Sequence, residues 1–358
     1  MNNNIHWLRD KIKSKNLDGI IISNPVNVKY LTGIEAEGML LITPRENIYL
    51  TDGRYVEIVN NTLTIDDEIV VYDMKNLIKE DFENIFTFCE NVGFEEHYVT
   101  YAKYKNYMHT FKINNFEETE HIIEKQRMIK DKEEIELIRQ ACEITDACFE
   151  YLKDYIKVGL TEKQIAKEID EFFISKGAEG NAFDTIVASG VNSSKPHSIP
   201  TDKVIEEGDP ITIDMGCKYK GYCSDMTRTV FARSIPDKIK PIYDLVLKNQ
   251  KESINEMREG ANLKVISKMV ESDFKLNGYE FIHALGHGVG MEVHELPYFS
   301  TKADCLLKSN MVVTDEPGIY IPGNFGVRIE DTVVVYKGEA ECLTKSEKGY
   351  VIVDDNNS

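Results

Sequence analysis

The 358-residue sequence lacks the features that mark several specialised classes of protein. No apolar run approaches the roughly 18 residues that span a bilayer, and the first residues contain no hydrophobic core of a signal peptide. Basic residues are also in short supply, because 42 Lys and Arg stand against 61 Asp and Glu and leave a formal net charge of −19. That charge repels phosphate backbones and anionic lipids. We therefore expect a cytoplasmic protein that binds neither nucleic acid nor membrane.

Cysteine is sparse and irregularly placed. The seven cysteines are odd in number and scattered over the chain, which favours reduced thiols over a disulfide framework. The composition is otherwise ordinary for a folded soluble protein, with 42% hydrophobic and 29% charged residues. At roughly 150 residues per domain, the length predicts two domains, each large enough to bury its own core.

The first 125 residues alternate short β-rich runs with helical ones. Runs such as Gly19–Ser23 and Asn47–Thr51 favour strands, whereas Ile5–Asn16 and Asp81–Glu90 favour helices. Nothing in this region resembles a phosphate-binding loop. The alternation predicts an α/β domain with a mixed sheet over residues 1–125.

The pattern changes beyond that point. Apolar residues recur at a helical period over Asp131–Tyr155, and Thr161 begins the capping box of the next helix. Two more helices fit residues 240–258 and 263–276, and Gly-rich, β-branched segments lie between and after the helices. This arrangement predicts an α+β domain, an antiparallel sheet with helices on one face, over residues 126–358.

A first predicted β-hairpin, over Ile211–Val230, carries two acids. A two-residue turn at Tyr219 and Lys220 brings Asp214 opposite Asp225 on one face of the hairpin. Like charges at facing positions destabilise a sheet, and more so when they are partly buried. A bound cation would remove the conflict.

A second predicted hairpin repeats the arrangement. With a turn centred on Gly323, Glu316 falls opposite Glu330. Acids on a solvated sheet face would explain either hairpin alone. Two hairpins that each oppose two acids, both bordered by apolar strand residues, favour a functional site.

Histidines cluster in one glycine-rich segment. Of the eight histidines, His283, His287 and His294 fall within Phe281–Pro297, where the glycines favour extended chain over helix. His283 and His287, four residues apart, would share a face of that chain. We expect at least one of the three to bind a metal ion. A fourth histidine, His197, lies in a loop-like segment.

Four carboxylates and one imidazole form a hard, oxygen-rich set of ligands. Such a set suits two divalent ions such as Mn²⁺ or Co²⁺, and differs from a cysteine-lined zinc site. The four carboxylate charges also balance the charges of two divalent ions. Two ions a few Å apart acidify a shared water and polarise a carbonyl group, so the residues indicate metal-assisted chemistry.

Motifs along the whole chain carry a family resemblance. The C-terminal part resembles the pita-bread metallopeptidases, and within them the Xaa-Pro peptidases, meaning proline dipeptidase (prolidase) and aminopeptidase P. The N-terminal part is similar to the creatinase-like domain of those enzymes. The resemblance implies a creatinase-like domain over residues 1–125 and a pita-bread catalytic domain over residues 126–358. The matching motifs are Tyr30–Gly33, Thr51–Tyr55, Ile213–Gly216, Ser224–Thr229, His283–Gly290, Val293–Glu295, Glu316–Tyr320 and Val327–Asp331.

The resemblance also implies a role for each matching residue. His197 and His294 match histidines that act near the scissile carbonyl, and His283 and Arg328 match positions around the substrate pocket. Asp315 departs from the apolar or uncharged residue usual there, and in a strand it should point away from its neighbour in the sequence. The metal ligands that the resemblance implies are Asp214, Asp225, His287, Glu316 and Glu330.

These roles imply a dinuclear exopeptidase that hydrolyses the bond between an N-terminal residue and proline, an Xaa-Pro dipeptidase. The metal is expected to be Mn²⁺, with Co²⁺ or Zn²⁺ as alternatives. A hydroxide that bridges the two ions would be the nucleophile, and Glu316 would carry a proton to the leaving nitrogen. Short proline-containing peptides are the expected partners. A homodimer is implied because in such enzymes the partner subunit closes part of the cleft.

Other functions remain open. The first is aminopeptidase P, which acts on longer Xaa-Pro peptides. Methionine aminopeptidase shares the catalytic domain, but the N-terminal domain argues against it, and creatinase-type hydrolases lack the full ligand set. A non-catalytic pita-bread binding protein is disfavoured because all five ligand positions are filled.

Overall fold

The computed structural model of the protein describes residues 2–63, 68–299 and 304–354. The chain divides into two compact units, Met1–Arg127 and Met128–Ser358. Within the described ranges, no helix is long and apolar enough to cross a membrane.

The first unit is built on a six-stranded sheet with the order β4-β3-β2-β1-β5-β6. β2 runs antiparallel to β1 and β3, and the other neighbours are parallel, so the predicted mixed sheet is confirmed. Its strands are β1 (Gly19–Ile22), β2 (Gly38–Ile42), β3 (Asn47–Thr51), β4 (Ile69–Asp73), β5 (Asn91–Phe94) and β6 (Asn115–Glu118). Its helices are α1 (Asn2–Ser14), α2 (Pro25–Thr32), α3 (Val56–Thr62), α4 (Lys79–Ile85), α5 (Tyr101–Thr110) and α6 (Ile122–Arg127).

The second unit contains four helices and fourteen named strands among its described residues. The helices are α7 (Lys132–Tyr155), α8 (Glu162–Ser175), α9 (Lys240–Glu256) and α10 (Leu263–Leu276). The strands are β7 (Gly180–Asn181), β8 (Ile186–Ser189), β9 (Pro210–Met215), β10 (Cys217–Tyr219), β11 (Tyr222–Cys223), β12 (Met226–Ala232), β13 (Gly286–Gly288), β14 (Glu295–Phe299), β15 (Val312–Asp315), β16 (Gly318–Ile321), β17 (Phe325–Arg328), β18 (Asp331–Val335), β19 (Ala340–Cys342) and β20 (Ile352–Val353).

The long helices of the second unit begin where the sequence predicts. Asp131 and Glu134 form a capping box at the start of α7, and Thr161 and Gln164 form another at the start of α8. In each box the first side chain accepts a hydrogen bond from a backbone N–H that the helix itself leaves free, which stabilises the helix start by about 1 kcal/mol. The predicted range of α10 matches the observed one at both ends.

Helices cover the sheets of this unit through two apolar cores. One core joins α7 and α8 to β8, β9 and β12, and the other joins α9 and α10 to β15, β17 and β18. Along β9, Ile211, Ile213 and Met215 point into the first core. Because side chains alternate along a strand, Asp214 points to the opposite face. The fold thereby leaves polar strand positions on the side away from the helices.

The first hairpin differs from the prediction. β9 and β12 pair Asp214 with Thr227, so the prediction that Asp214 faces Asp225 is wrong. The turn between β10 and β11 is centred on Lys220 and Gly221, whose φ angles are 47° and 83°. A two-residue hairpin turn of this kind needs positive φ at both central positions, and glycine adopts that conformation without strain. Gly221 therefore places the turn one residue later than predicted.

The second hairpin has the predicted register. β16 and β17 pair around a turn centred on Gly323, and β15 and β18 continue the same register and pair Asp315 with Asp331. Glu316 and Glu330 occupy facing positions in the gap between these two ladders, as the sequence predicts. At the gap, the Glu316 N–H donates to the Leu285 carbonyl and the Glu330 N–H donates to the Thr227 carbonyl.

Candidate metal centre and active site

A cavity of about 610 Å³ in the second unit collects the residues singled out from the sequence. It is lined by residues of β8, β9, β13, β14, β16 and β17 and of neighbouring loops, together with the segment from Pro196 to Pro200. All nine sequence-predicted site residues line it: His197, Asp214, Asp225, His283, His287, His294, Glu316, Arg328 and Glu330.

Three potential metal ligands meet at the buried end of the cavity. One ligand atom from each of Asp225, His287 and Glu330 lies within 4.8 Å of the others, and all three residues are buried. Asp225 lies just before β12, and its backbone is fixed by Thr332, whose hydroxyl both accepts from the Asp225 N–H and donates to the Asp225 carbonyl. This anchoring holds the carboxylate close to the second hairpin.

The position of His287 is fixed by one backbone contact and one contact of the ring. Its backbone N–H donates to the Thr314 hydroxyl at 3.0 Å, and its Nδ1 lies 3.1 Å from the Gly288 carbonyl, which can only accept. Nδ1 therefore carries the proton and Nε2 keeps its lone pair. Nε2 lies 3.5 Å from both Asp225 Oδ2 and Glu316 Oε1. Burial and the neighbouring His294 lower the pKa of His287 to about 4, which keeps the ring neutral at physiological pH.

Asp214 and Arg328 form the other side of the cluster. The guanidinium of Arg328 donates to Asp214 Oδ2 at 2.6 Å, to the Tyr320 hydroxyl at 2.9 Å and to the Thr227 hydroxyl at 3.0 Å. The remaining oxygen, Asp214 Oδ1, is buried and has no hydrogen-bond partner among the described residues. A buried carboxylate oxygen without a partner is costly, so Asp214 offers one free ligand atom to the cavity.

The carboxylic acids of the cluster resist ionisation. Burial, and then repulsion by neighbouring carboxylates, raises the pKa values of Asp225 and Glu330 well above the ordinary range. Burial also raises the pKa of Glu316 to about 7. These are the shifts expected for acids that share a poorly hydrated site without a nearby cation to neutralise them all. A divalent ion would stabilise the ionised forms.

The donor set fits divalent metal ions. Carboxylate oxygens predominate, the single imidazole presents an unprotonated nitrogen, and one buried carboxylate oxygen lacks any partner. The side chain of Glu330 is held by the Thr227 hydroxyl, which donates to Oε2 at 2.6 Å, and the Thr314 hydroxyl donates to Glu316 Oε1 at 3.3 Å. Neutral hydroxyls thus orient the acids without compensating their charge, which leaves that charge available for metal binding.

The remaining histidines surround the mouth of the cavity. His197 and His294 are exposed, and the His294 ring lies 4.2 Å from the ring of His287, measured between centroids. His283 Nδ1 lies 2.7 Å from the Ala284 carbonyl, so Nδ1 carries the proton and Nε2 accepts from the Tyr320 hydroxyl at 3.1 Å. Burial lowers the pKa of His283 to about 4, so this ring is neutral as well.

Sequence reasoning missed three residues that organise the site. Thr227 lies between Glu330 and Arg328, Tyr320 lies between Arg328 and His283, and Thr314 orients His287. Two of them, Thr227 and Tyr320, fall inside motifs that the sequence analysis quotes, two and four residues after an acid. Their period-two spacing along a strand was the signal that could have identified them.

Asp315 points away from the site, as the sequence predicts. Its side chain is fully buried on the other side of the strand, where Oδ2 accepts from the Ser253 hydroxyl of α9 at 2.7 Å. The facing acid, Asp331, is neutralised by Arg228 and Lys348. Basic side chains neutralise one of these opposed acids and burial raises the pKa of the other, so opposed acids alone do not identify a metal site.

Family models match both units of the chain. The model described as metallopeptidase family M24 matches residues 136–337, and the model described as creatinase/prolidase N-terminal domain matches residues 5–129. Every residue of the cavity cluster lies within the first of these matches.

Individual relatives cover almost the entire chain. An Xaa-Pro dipeptidase from Pyrococcus furiosus is 36% identical over 344 residues, which cover 93% of this chain and 94% of the relative. The solved structure of an Xaa-Pro dipeptidase from Bacillus anthracis superposes with a TM-score of 0.93 at 36% identity and covers 98% and 99% of the two chains. An X-Pro aminopeptidase from Thermotoga maritima gives a TM-score of 0.87 at 32% identity and covers 96% and 100%.

Proposed function

The chain belongs to metallopeptidase family M24, and we propose that it is a metal-dependent exopeptidase that cleaves the bond between an N-terminal residue and proline, an Xaa-Pro dipeptidase. The observation that carries this proposal is the gathering of four acids and His287 in one cavity with the ligand chemistry of divalent metals. Relatives named as Xaa-Pro dipeptidases, more than a third identical over nearly the full chain, support the choice of substrate.

We assign metal binding to the five residues implied by the family resemblance, Asp214, Asp225, His287, Glu316 and Glu330. Support comes from the free Oδ1 of Asp214, the unprotonated Nε2 of His287 and the raised pKa values of the buried acids. Two divalent ions bound there would make a water acidic enough to attack near neutral pH and would polarise the scissile carbonyl. We expect Mn²⁺ because the set is rich in oxygen, with Co²⁺ or Zn²⁺ as alternatives.

Glu316 is the proposed proton carrier. It lies in the ligand cluster, with Oε1 3.5 Å from His287 Nε2, where a carboxylate could take a proton from the attacking water and pass it to the departing proline nitrogen. That nitrogen carries no hydrogen in the substrate, so its protonation is a large part of the barrier. The Thr314 hydroxyl holds the carboxylate in place while the proton moves.

The residues at the cavity mouth are proposed to bind and orient the substrate. His197 and His294 are exposed there, and each can donate a hydrogen bond to the scissile carbonyl oxygen as negative charge develops on it. Arg328 fixes Asp214 and Tyr320, and the neutral His283 accepts from the same tyrosine, so these two residues shape the pocket.

The proposal extends to the whole chain. We assign residues 1–125 to the creatinase-like domain and residues 126–358 to the catalytic domain, in keeping with the two family matches. All seven cysteines are free thiols, which supports a cytoplasmic location. A homodimer is expected from the family resemblance, and sedimentation or light scattering of the purified protein would measure it.

A parallel assay with three substrates tests the proposed specificity. Mn²⁺-loaded protein is offered an Xaa-Pro dipeptide, an Xaa-Pro-Xaa tripeptide and an Xaa-Ala dipeptide at equal concentration. Cleavage of Xaa-Pro alone supports the dipeptidase. Cleavage of the tripeptide would identify an aminopeptidase P, the alternative that the Thermotoga maritima relative favours. Preference for Xaa-Ala would contradict the requirement for proline.

A further inference from the structure

The loop that carries His197 is tied together at its base by a single buried carboxylate. Residues 189–201 leave β8 through a short 3-10 helix, Gly190–Ser194, and end at Thr201. We propose that Glu162 is the positioning residue of this loop and, through the loop, of His197. The proposal rests on the proposed function only in that His197 is assigned there to substrate binding.

Glu162 accepts hydrogen bonds from both ends of the loop. Its Oε1 accepts from the Ser189 N–H at 2.7 Å, the Ser189 hydroxyl at 2.9 Å and the Asn192 amide at 3.1 Å. Its Oε2 accepts from the Thr201 N–H at 3.0 Å and the Thr201 hydroxyl at 2.6 Å, and it also lies 3.2 Å from the Asn192 amide nitrogen. Five donor atoms from three loop residues therefore converge on one side chain.

The chemistry of these donors favours a carboxylate at this position. All five are neutral N–H or O–H groups, and Glu162 is fully buried. A carboxylate is the side chain that can accept at both ends without donating, and hydrogen bonds to an ionised acceptor are stronger than those between neutral groups. A glutamine of the same size would direct an NH₂ group at donors and break about half of the contacts.

Glu162 is itself held on a rigid element. It is the first residue of α8, and Thr161 caps that helix. The Glu162 N–H donates to the Lys203 carbonyl and the Lys163 N–H donates to the Thr201 carbonyl, so the same helical turn also holds the chain that leaves the loop. A loop anchored to a helix end can place its tip more accurately than a free loop can.

Buried serines near the start of the loop contrast with two exposed side chains at its tip. Ser189 and Ser193 are almost completely buried, whereas His197 is exposed and Ile199 is 81% exposed. One contact connects the tip to the acid cluster, since Arg328 lies 3.3 Å from the Pro196 carbonyl. The tip thus depends on the base for its position, and the base depends on Glu162.

The variant Glu162→Gln tests the proposal against a matched control. Glu95 in the first unit is also buried and accepts from the Ser23 and Asn24 N–H groups and the Asn27 amide, far along the chain from any site residue. We expect Glu162→Gln and Glu95→Gln each to lower Tm. Only Glu162→Gln should lower kcat/KM, by about tenfold and mainly through KM, with metal content unchanged. An equal loss of activity in both variants would overturn the proposal.

A double-mutant cycle separates positioning from general destabilisation. If Glu162 acts through His197, the loss of kcat/KM caused by Glu162→Gln should shrink from about tenfold to less than about twofold when His197 is already alanine. A loss that stays tenfold in the His197→Ala background would contradict this role. Should Glu162→Gln fail to fold, Thr201→Val removes one donor and should give a smaller loss with the same dependence on His197.

Hydrogen exchange of the wild type and Glu162→Gln, with Mn²⁺ bound, reports on the loop without any substrate. We expect amides of residues 189–201 to exchange at least tenfold faster in the variant, while amides of β9 keep their rate. Unchanged exchange in the loop would refute the anchoring role. Because this measurement needs no turnover, it distinguishes failure of the anchoring from failure of the proposed activity, which the wild type alone reveals in the substrate assay.

Discussion

At the scale of single residues, the site is a set of acids whose partners differ in kind. Asp214 is paired with Arg328, Glu330 with the Thr227 hydroxyl, and Asp225 and Glu316 both approach His287. Only the first of these partners is a permanent cation. The cluster therefore holds more acids than the neighbouring cationic side chains neutralise, which supports the proposed metal binding.

Glu316 is the residue whose substitution should affect activity more than metal content. Glu316→Gln is expected to reduce kcat by about 10² to 10⁴, because proton transfer to the leaving nitrogen loses its carrier while other ligands still hold metal. Steady-state kinetics together with elemental analysis would check this. A metal-loaded variant that turns over at the wild-type rate would refute the role of Glu316.

The raised pKa of Glu316 also predicts a pH dependence of stability in metal-free protein. Its folded pKa of about 7 exceeds the ordinary value of 4.5, so the folded state binds more protons than the unfolded state between these values. Stability from this group is present below pH 4.5 and is lost as pH rises towards 7. The unfolding free energy of metal-free Glu316→Gln, measured relative to metal-free wild type, should therefore rise by on the order of 2 kcal/mol between pH 5 and pH 7. Urea unfolding at both pH values measures the difference, and a constant difference would contradict it.

At the scale of secondary-structure elements, the two hairpins show what the sequence could predict. The second hairpin has its turn glycine at the centre of the predicted turn, and the register follows correctly to Glu316 and Glu330. In the first hairpin the turn predicted at Tyr219 and Lys220 takes no account of Gly221. The observed turn lies one residue later, so Asp225 does not face Asp214. Register depends on turn chemistry as well as on hydrophobic pattern.

Asp214 and Asp225 still reach one cavity despite that error. Asp225 lies two residues before Thr227, the partner of Asp214, and so occupies a diagonal position. Both acids line the cavity despite the error in register, because the two positions lie on one face of the hairpin. The contacts of Glu162 could not be predicted in this way, because its loop donors lie 27 to 39 residues further along the chain and meet it only through packing between elements.

Close contact between β13 and β15 predicts the effect of a methyl group. A Cβ added at Gly286 would lie 2.2 Å from the Thr314 carbonyl oxygen, whereas one at Gly338 meets no atom within 4 Å. Gly286→Ala should therefore destabilise the protein by about 1 to 3 kcal/mol and disturb the neighbouring His287. Gly338→Ala serves as the control and should change the unfolding free energy by less than about 0.5 kcal/mol. Equal effects in chemical denaturation would show that the close contact is relaxed at no cost.

At the scale of the whole molecule, the acidic residues fall into two groups. Several described acids form exposed ion pairs with lysines, whereas the four proposed metal-binding acids line one cavity. The net charge of −19 predicts weak binding to polyanions, but it does not indicate which acids would bind metal. The ordered motifs were needed for that, because they carry the family resemblance.

Metal removal should therefore reduce the stability of the protein. Any ligand that binds only the folded state stabilises it by about 2.7 kcal/mol at a hundredfold excess over Kd. We expect a chelator to lower the Tm of wild-type protein and restored Mn²⁺ to recover it, whereas Asp225→Asn should respond weakly to both. Calorimetry of the two proteins with and without chelator measures the effect. A wild-type Tm that does not change when the chelator is added would show that the cluster holds no metal.

The central claim is that the acid cluster hydrolyses a peptide bond before proline. Its most direct test is the initial rate of hydrolysis of Ala-Pro and Ala-Ala by Mn²⁺-loaded wild-type protein, with Asp225→Asn measured beside it. We expect cleavage of Ala-Pro by the wild type, much slower cleavage of Ala-Ala, and loss of both activities in the variant. Absence of Ala-Pro cleavage by metal-loaded wild type, or full activity in Asp225→Asn, would contradict it.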